Sequence, residues 1–340
     1  MSQLLRRAVV AQLLCVVSAF SSLCWGWGNA GHEAVAYVAW QQLTPQTRAR
    51  VMVLLAQVPA LTSPTGKHVP GFADWKNDLP PGLSQDDQNL YLFMRAATWP
   101  DSIKHVGFKD SDTAPGTSSD VNIGFSDKKS HGYWHFVDAG FASDRSKVPA
   151  TPVPNVVTQI AAFRAAIKSG ESDKLKSYDL VWLEHLVGDV HQPLHGTVRY
   201  YQSKGDAGGN LVVIKLSTPV RQDFASAPRE LHAFWDDLPG EGNASAALPD
   251  AAKFAKGLNS APDDKVADTN PADWAVESFT MAKTDAYASP IGKGPKPPAS
   301  SGKTAYVITQ KYYDQSMQDA QDRVALAGAR LAKLLNENLN

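Results

Sequence analysis

The chain has 340 residues, with 33 basic against 34 acidic side chains and a formal charge of −1. At 43% hydrophobic and 20% charged residues it is not a disordered tail, a collagen-like repeat or a polytopic membrane protein. The near-neutral balance argues against a broad basic surface that would hold nucleic acid by charge alone. A polyanionic substrate would need positive charge from elsewhere, and bound metal is one source.

Residues 1–26 read as a secretory signal peptide. Arg6-Arg7 closes a positive start, Ala8–Phe20 is an apolar run too short to span a membrane, and Cys24 and Gly26 are the small residues of a cleavage site. Cleavage there begins the mature chain at Trp27 and places it outside the cytoplasm, secreted or periplasmic. Both cysteines, Cys15 and Cys24, fall in the leader. The mature chain therefore has neither disulfides nor thiolate metal sites, and its metal ligands must be His, Asp, Glu or backbone.

The remaining elements are mostly helical. Val35, Val38, Ala39 and Leu43 recur at helical spacing and predict a helix over 31–43. Thr44-Pro45 reads as a cap with proline at the first helical position, and Val51, Leu54 and Leu55 continue that second helix. Residues 104–130 read as a long loop. Helices are expected over 155–167 and 178–190. Residues 198–202 and 210–216 are expected to pair as a small β-hairpin around Gly208-Gly209. A short helix over 231–238, a second long loop over 239–303 and a long amphipathic helix over 306–339 complete the chain. No repeat or linker divides it. The expectation is one mainly α domain over 27–340, a multi-helix bundle with a small hairpin.

The histidines and aspartates cluster. His185 and Asp189 are four residues apart, so one helix face brings them within reach of one metal ion. Pro193 ends that helix, and the turn after it carries His195. His232 and Asp236 repeat the i,i+4 pair. Asp101 in Trp99-Pro100-Asp101 and His135 in Trp134-His135-Phe136 are further candidate ligands. Cleavage before Trp27 would leave a free amine five residues ahead of His32; with a pKa near 8 it is readily deprotonated for zinc. Of the other histidines, His68 and His105 read as surface residues, His191 as support for the helix end, and His131 is undecided.

In this order the motifs resemble the secreted zinc-dependent single-strand nucleases and 3′-nucleotidases of fungi, plants and bacteria. They are Trp27-x4-His32, Trp99-Pro-Asp101, Trp134-His135-Phe136-Val-Asp138, His185-x3-Asp189-x-His191-Gln-Pro-Leu-His195, His232-x2-Trp235-Asp236, Gly208-Gly209-Asn210 and Ala327-Gly328-Ala329-Arg330-Leu331. The resemblance implies a mainly helical fold and three Zn²⁺ ions. The first would be held by Asp101, His135, His185 and Asp189, the second by His195, His232 and Asp236. The third would be held by the Trp27 amine and carbonyl, His32 and the bridging Asp189.

With three aspartates opposing three dications, the cleft would keep roughly +3 on a slightly acidic protein. The implied reaction leaves 5′-phosphate and 3′-hydroxyl ends, with water activated between the first and third ions and oriented by Asp101. The second ion stabilises the leaving 3′-oxygen. Lys104 stands where the family often has arginine and would neutralise charge; Phe136 would stack a base and Asp138 bind its edge. The substrates implied are single-stranded DNA, RNA and 3′-nucleotides, with no protein partner, no membrane anchor and a monomeric chain. A zinc phospholipase C shares the implied fold and metals and is the alternative enzyme. Trp-x4-His and the terminal Asp236 favour the nuclease. A non-catalytic zinc-binding protein is the other alternative. Asn243-Ala244-Ser245 is a sequon for a eukaryotic secretory pathway.

Overall fold

The computed structural model describes residues 27–104, 106–109, 124–142, 144–240, 247–292 and 305–339. The leader, His105 and the Asn243 sequon lie outside them. Helices dominate: α1 (Asn29–Gln42), α2 (Pro45–Leu55), α3 (Phe72–Asn77), α4 (Gln85–Ala96), α5 (Trp99–Ser102), α6 (Val156–Lys168) and α7 (Asp173–His191). They continue as α8 (Thr218–Arg221), α9 (Leu231–Asp236), α10 (Ala247–Lys256), α11 (Asp263–Ala267), α12 (Pro271–Met281) and α13 (Gln310–Asn338). Among the described residues no helix is long and apolar enough to cross a membrane.

The starts follow the expected chemistry. Thr44 accepts the Thr47 amide with Pro45 at the first helical position, and Asn155 and Ser172 cap α6 and α7 in the same way. Each satisfies an amide that a helix start leaves without a partner. Helix α7 is the axis of the fold. It packs against α2, α6, α12 and α13, and from Ser177 to His191 every residue is buried. Helix α1 lies against α13 and α10. Gly328 makes the α1–α13 contact possible, because a Cβ there would stand 2.5 Å from Val38 Cβ.

Strands are short. β1 (Leu61–Thr62) pairs antiparallel with β2 (His68–Val69). β3 (Gly140–Ala142) lies parallel to β4 (Val198–Tyr201), which turns back onto β5 (Lys204–Gly205). β6 (Ile214–Leu216) lies parallel to β7 (Tyr306–Ile308).

The expected hairpin is therefore corrected. A hairpin does follow residue 198, but it closes at Gln202 and Ser203, both with positive φ, as a tight two-residue turn requires. Residues 214–216 pair with a strand far along the chain instead. Gly208 and Gly209 serve another purpose: a Cβ on Gly208 would lie 2.7 Å from the Leu194 carbonyl oxygen and 3.4 Å from His232 Nδ1, so these glycines let the chain pass close beside Leu194 and His232. The expected loop over 239–303 is also corrected. It holds α10, α11 and α12, the last opened by the Asn270 cap and Pro271; α10 does carry an apolar spacing (Leu248, Ala251, Ala252, Ala255), which the surrounding Gly, Pro, Ser and Asp residues obscure. The long helix starts at Gln310 rather than Tyr306, since 306–308 is strand.

Two buried arginines tie the C-terminal helix α13 to the partly buried Glu277 of α12. Arg330 and Arg323 both donate to Glu277 Oε2, at 2.7 and 2.9 Å. Burial alone would raise the Glu277 pKa, but these bonds outweigh it and bring it from 4.5 to about 2. A carboxyl depressed in the fold stabilises it above its unfolded pKa and loses that contribution as pH falls toward the folded value. The stability lead of the wild-type chain over Glu277→Gln should thus be constant above about pH 5. It should shrink between pH 4.5 and about 2, as read by urea unfolding across that range.

Candidate metal centre

Six segments converge at the C-terminal half of α7. His185 and Asp189 lie on one face of that helix. Asp101 comes from α5, His135 from a 3-10 turn over Gly132–His135, and His195 from the turn over Pro193–Gly196. His32 lies on α1, and His232 and Asp236 lie on α9. Three groups form: His32, His185 and Asp189; Asp101, His135 and His185; and His195, His232 and Asp236, all buried, with ligand atoms within 4.8 Å of one another in each. Asp189 also joins the second group, its Oδ2 lying 2.9 Å from His135 Nδ1 and 3.2 Å from His185 Nε2. The three buried groups can hold metal ions.

Backbone carbonyls orient the rings. His185 Nδ1 donates to the Ala97 carbonyl at 2.8 Å, His195 Nδ1 to that of His135 at 2.6 Å, and His232 Nδ1 to that of Gly208 at 2.7 Å. With the proton on Nδ1 fixed by a carbonyl, each ring turns its Nε2 inward, the arrangement that outer partners impose on metal-ligating histidines. His195 Nε2 and His232 Nε2 then face each other at 3.1 Å. Two lone pairs so placed repel unless a cation lies between them. Two further donors fit the same reading. His32 Nε2 and Asp189 Oδ1 lie 3.4 Å apart, an ion-pair distance, but neither they nor His32 Nδ1 makes a hydrogen bond of good geometry among the described residues, although all are buried. Buried polar atoms are otherwise nearly always paired.

The electrostatics are those of carboxylates kept ionised inside the protein. Burial works against the Asp101 charge, but Lys104, its Nζ 2.6 Å from Oδ1, and His185 hold its carboxyl below the usual range. Asp189 is likewise driven down by His185 and His195 despite burial. Burial and Lys104 lower the His135 pKa to about 3, and burial and His185 lower that of His32. At His185 burial works to lower the pKa, but Asp189 and Asp101 outweigh it and raise it. Neutral imidazoles and charged carboxylates are the states in which such side chains bind metal, so a cation bound there would displace the His185 proton.

The other predicted residues are placed as follows. The Trp27 side chain is fully buried and lies between Gly31 and Gly188, on either side of His32; the Gly28 amide donates to the Asp236 carbonyl at 3.0 Å, so the N-terminal segment runs along the third group. Phe136 is half-buried, tilted against Tyr133 at 5.5 Å. Asp138 is half-buried, and burial together with Asp206 raises its pKa to about 6. His191, His131 and His68 belong to none of the groups. His191 bonds the Val187 carbonyl and Arg330, His131 pairs with Asp127, and His68 is exposed beside Asp74.

Sequence reasoning missed Gln192, whose Nε2 donates to Asp236 Oδ1 at 2.7 Å. Its place between Asp189 and His195 was the available signal. It also missed Glu33, beside Arg95 at 3.5 Å, whose pKa is pushed up to about 8 by burial.

The S1/P1 Nuclease family model matches residues 27–340. The chain belongs to the S1/P1 nuclease family. It is 24% identical to Nuclease S1 of Aspergillus oryzae over 94% of this chain and 93% of that one. It is 22% identical to Nuclease P1 of Penicillium citrinum over 92% and 97%. With Endonuclease 2 of Arabidopsis thaliana it shares 28% identity over 57% and 63%. As a member of this S1/P1 family the protein is a nuclease, a hydrolase of phosphodiester bonds acting on nucleic acid, and the phospholipase and inert zinc-binding alternatives lose their ground.

One glycine tests the geometry. A Cβ at Gly188, on α7 next to Asp189, would lie 2.8 Å from His32 Nδ1. Gly188→Ala should displace His32, which stacks on His185 at 3.7 Å, and lower the metal bound per chain by one ion. Nuclease activity should fall about 10-fold or more. Elemental analysis of protein reconstituted with zinc, beside the activity assay, reads both.

Proposed function

We propose that this nuclease is a zinc enzyme that cleaves single-stranded DNA and RNA to 5′-phosphate and 3′-hydroxyl products, and that it also removes phosphate from 3′-nucleotides. The observation that carries the metal is the facing pair of His195 and His232 nitrogens at 3.1 Å. Imidazole and carboxylate donors without thiolate suit zinc; a three-donor set leaves the fourth position open for water or substrate, and a four-donor set would admit one by expanding to five-coordinate. Asp101, His135, His185 and Asp189 would hold one ion, and His195, His232 and Asp236 a second. The amine and carbonyl of Trp27, with His32 and Asp189, would hold the third.

When bound, the zinc ions lower the pKa of water and neutralise charge on phosphoryl and leaving oxygens. The chain's own groups do the rest. Asp101 accepts a hydrogen bond from the attacking water and orients it in line with phosphorus. Lys104, already paired with Asp101, adds positive charge as a point donor rather than a bidentate fork. Phe136 offers a ring face to a base and Asp138 a carboxyl to its edge; stacking accepts any base but needs it out of the duplex, which supports a preference for single strands. The leader over 1–26 directs the protein to the periplasm or the medium, and its removal creates the Trp27 amine. Residues 27–340 act as one domain and one monomer.

An end-labelled single-stranded DNA oligonucleotide, digested by the mature protein in zinc-containing buffer, should yield fragments with 5′-phosphate and 3′-hydroxyl ends by mass spectrometry. Absence of cleavage there, or 3′-phosphate ends, would overturn the proposed reaction. A variant with one extra residue before Trp27 should retain one zinc fewer per chain and lose activity about 10-fold or more. Full activity and full zinc in that variant would mean that the amine is not a ligand.

A further inference from the structure

The turn that carries His135 serves two of the metal groups. His135 Nδ1 lies 2.9 Å from Asp189 Oδ2, while the His135 carbonyl accepts from His195 Nδ1 at 2.6 Å. The Val137 amide donates to the His195 carbonyl at 2.8 Å. A shift of this turn would therefore move ligands in both groups at once.

What holds the turn lies outside both. His131 precedes it with φ 49° and ψ 48°, in the left-handed region, which non-glycine residues enter rarely, histidine more readily than most. Its Nε2–H donates to the Asp127 carboxylate at 2.7 Å, and the two side chains are only 3% and 1% exposed. The His131 ring lies flat on Trp134, with centroids 3.4 Å and planes 12° apart, and edge-on to Trp182 at 5.8 Å. Trp182, on α7 shortly before His185, is in turn edge-on to Trp134 at 4.8 Å and to His135 at 5.4 Å. A continuous stack thus runs from Asp127 through His131 and Trp134 to the helix that supplies His185 and Asp189.

We infer that the Asp127–His131 pair is a positioning clamp for the metal centre, pinning the turn over 132–138 so that His135 and, through its carbonyl, His195 are set before metal arrives. The inference rests on the zinc-nuclease reading of this site. Both are positioning residues, since neither belongs to a metal group. A ligand held in advance loses less freedom on binding, so loss of the clamp loosens metal and misaligns the reacting groups while substrate contacts stay in place.

The test uses the zinc-loaded protein and the variants Asp127→Ala and Asp127→Asn. It reads zinc release to a chromophoric chelator, kcat and KM on a single-stranded oligonucleotide, and thermal unfolding. Asp127→Ala should release zinc about 10-fold faster and lower kcat about 10-fold, with KM within about twofold. Asp127→Asn keeps an oxygen to accept the His131 proton and should recover most of both. If Asp127→Ala does not fold, His131→Asn replaces it with the same expected result, because asparagine tolerates the left-handed backbone but removes the ring. Zinc release and kcat that stay at wild-type values while Tm falls would overturn the clamp, leaving the pair a role in the fold alone. An Asp127→Asn variant as impaired as Asp127→Ala would overturn it too, because the hydrogen bond would not be the restraint. Zinc release needs no substrate. A wild-type protein that cleaves nothing would sink the proposed reaction, and the clamp would still be decided by the chelator.

Discussion

His195 and His232 turn their Nε2 atoms toward each other at 3.1 Å inside the protein, and in both rings the other nitrogen is already committed to a backbone carbonyl. That contact is unfavourable in the absence of a cation, as is the burial of Asp101, Asp189 and Asp236 beside it. The surrounding structure makes sense as the means of holding such donors together. Three carbonyls fix ring tautomers, Gln192 orients Asp236, and Lys104 is the one cationic side chain paired with a carboxylate of the groups among the described residues.

Helix α7 is the element that can afford none of the usual surface polarity, because its last four turns face other chain on every side. Its C-terminal carbonyls are satisfied from α12 and α13. Ser278 donates to the Val190 carbonyl, and Arg323 donates to that of His191. The positive side chains Arg323 and Arg330 also sit where a helix terminus carries partial negative charge. Fixing that end matters for the chemistry, since Asp189 lies in the last turn and His195 follows directly after it. Close approach of backbones does the remaining work: Gly188 admits His32, Gly208 admits Leu194 and Thr197, and Gly328 admits α1.

A nuclease with a formal charge of −1 must attract a polyanion through local field rather than overall charge. The proposed metal centre meets that need, for cations held by a few buried aspartates leave a surplus of positive charge at one place on an otherwise neutral surface. The half-buried Phe136 and Asp138 follow His135 within the same turn, so base binding and metal binding share one short segment of chain.

Much of this was legible in the residues themselves. The i,i+4 spacings of His185 with Asp189 and of His232 with Asp236 dictate shared helix faces whatever the rest of the chain does, and Thr44-Pro45, Asn155 and Pro193 mark helix ends by local chemistry. The mainly helical class follows from the same periodicities. Other features depend on partners remote in sequence. Gly208-Gly209 looks like a hairpin turn until Leu194 and His232 are seen packed against it. Residues 214–216 pair with 306–308, which no local pattern announces. Helix α10 has an apolar face of its own (Leu248, Ala251, Ala252, Ala255), but the Gly, Pro, Ser and Asp residues around it read as loop, and α11 buries no residue that would mark it. The sequence by itself determined which side chains could bind metal and on which faces they stand, because spacing along a helix is a local property. Only the tertiary structure decided which of those faces meet, which ring nitrogens point inward and which outer pair, Asp127 with His131, holds the turn between them, because each depends on contacts between segments distant along the chain.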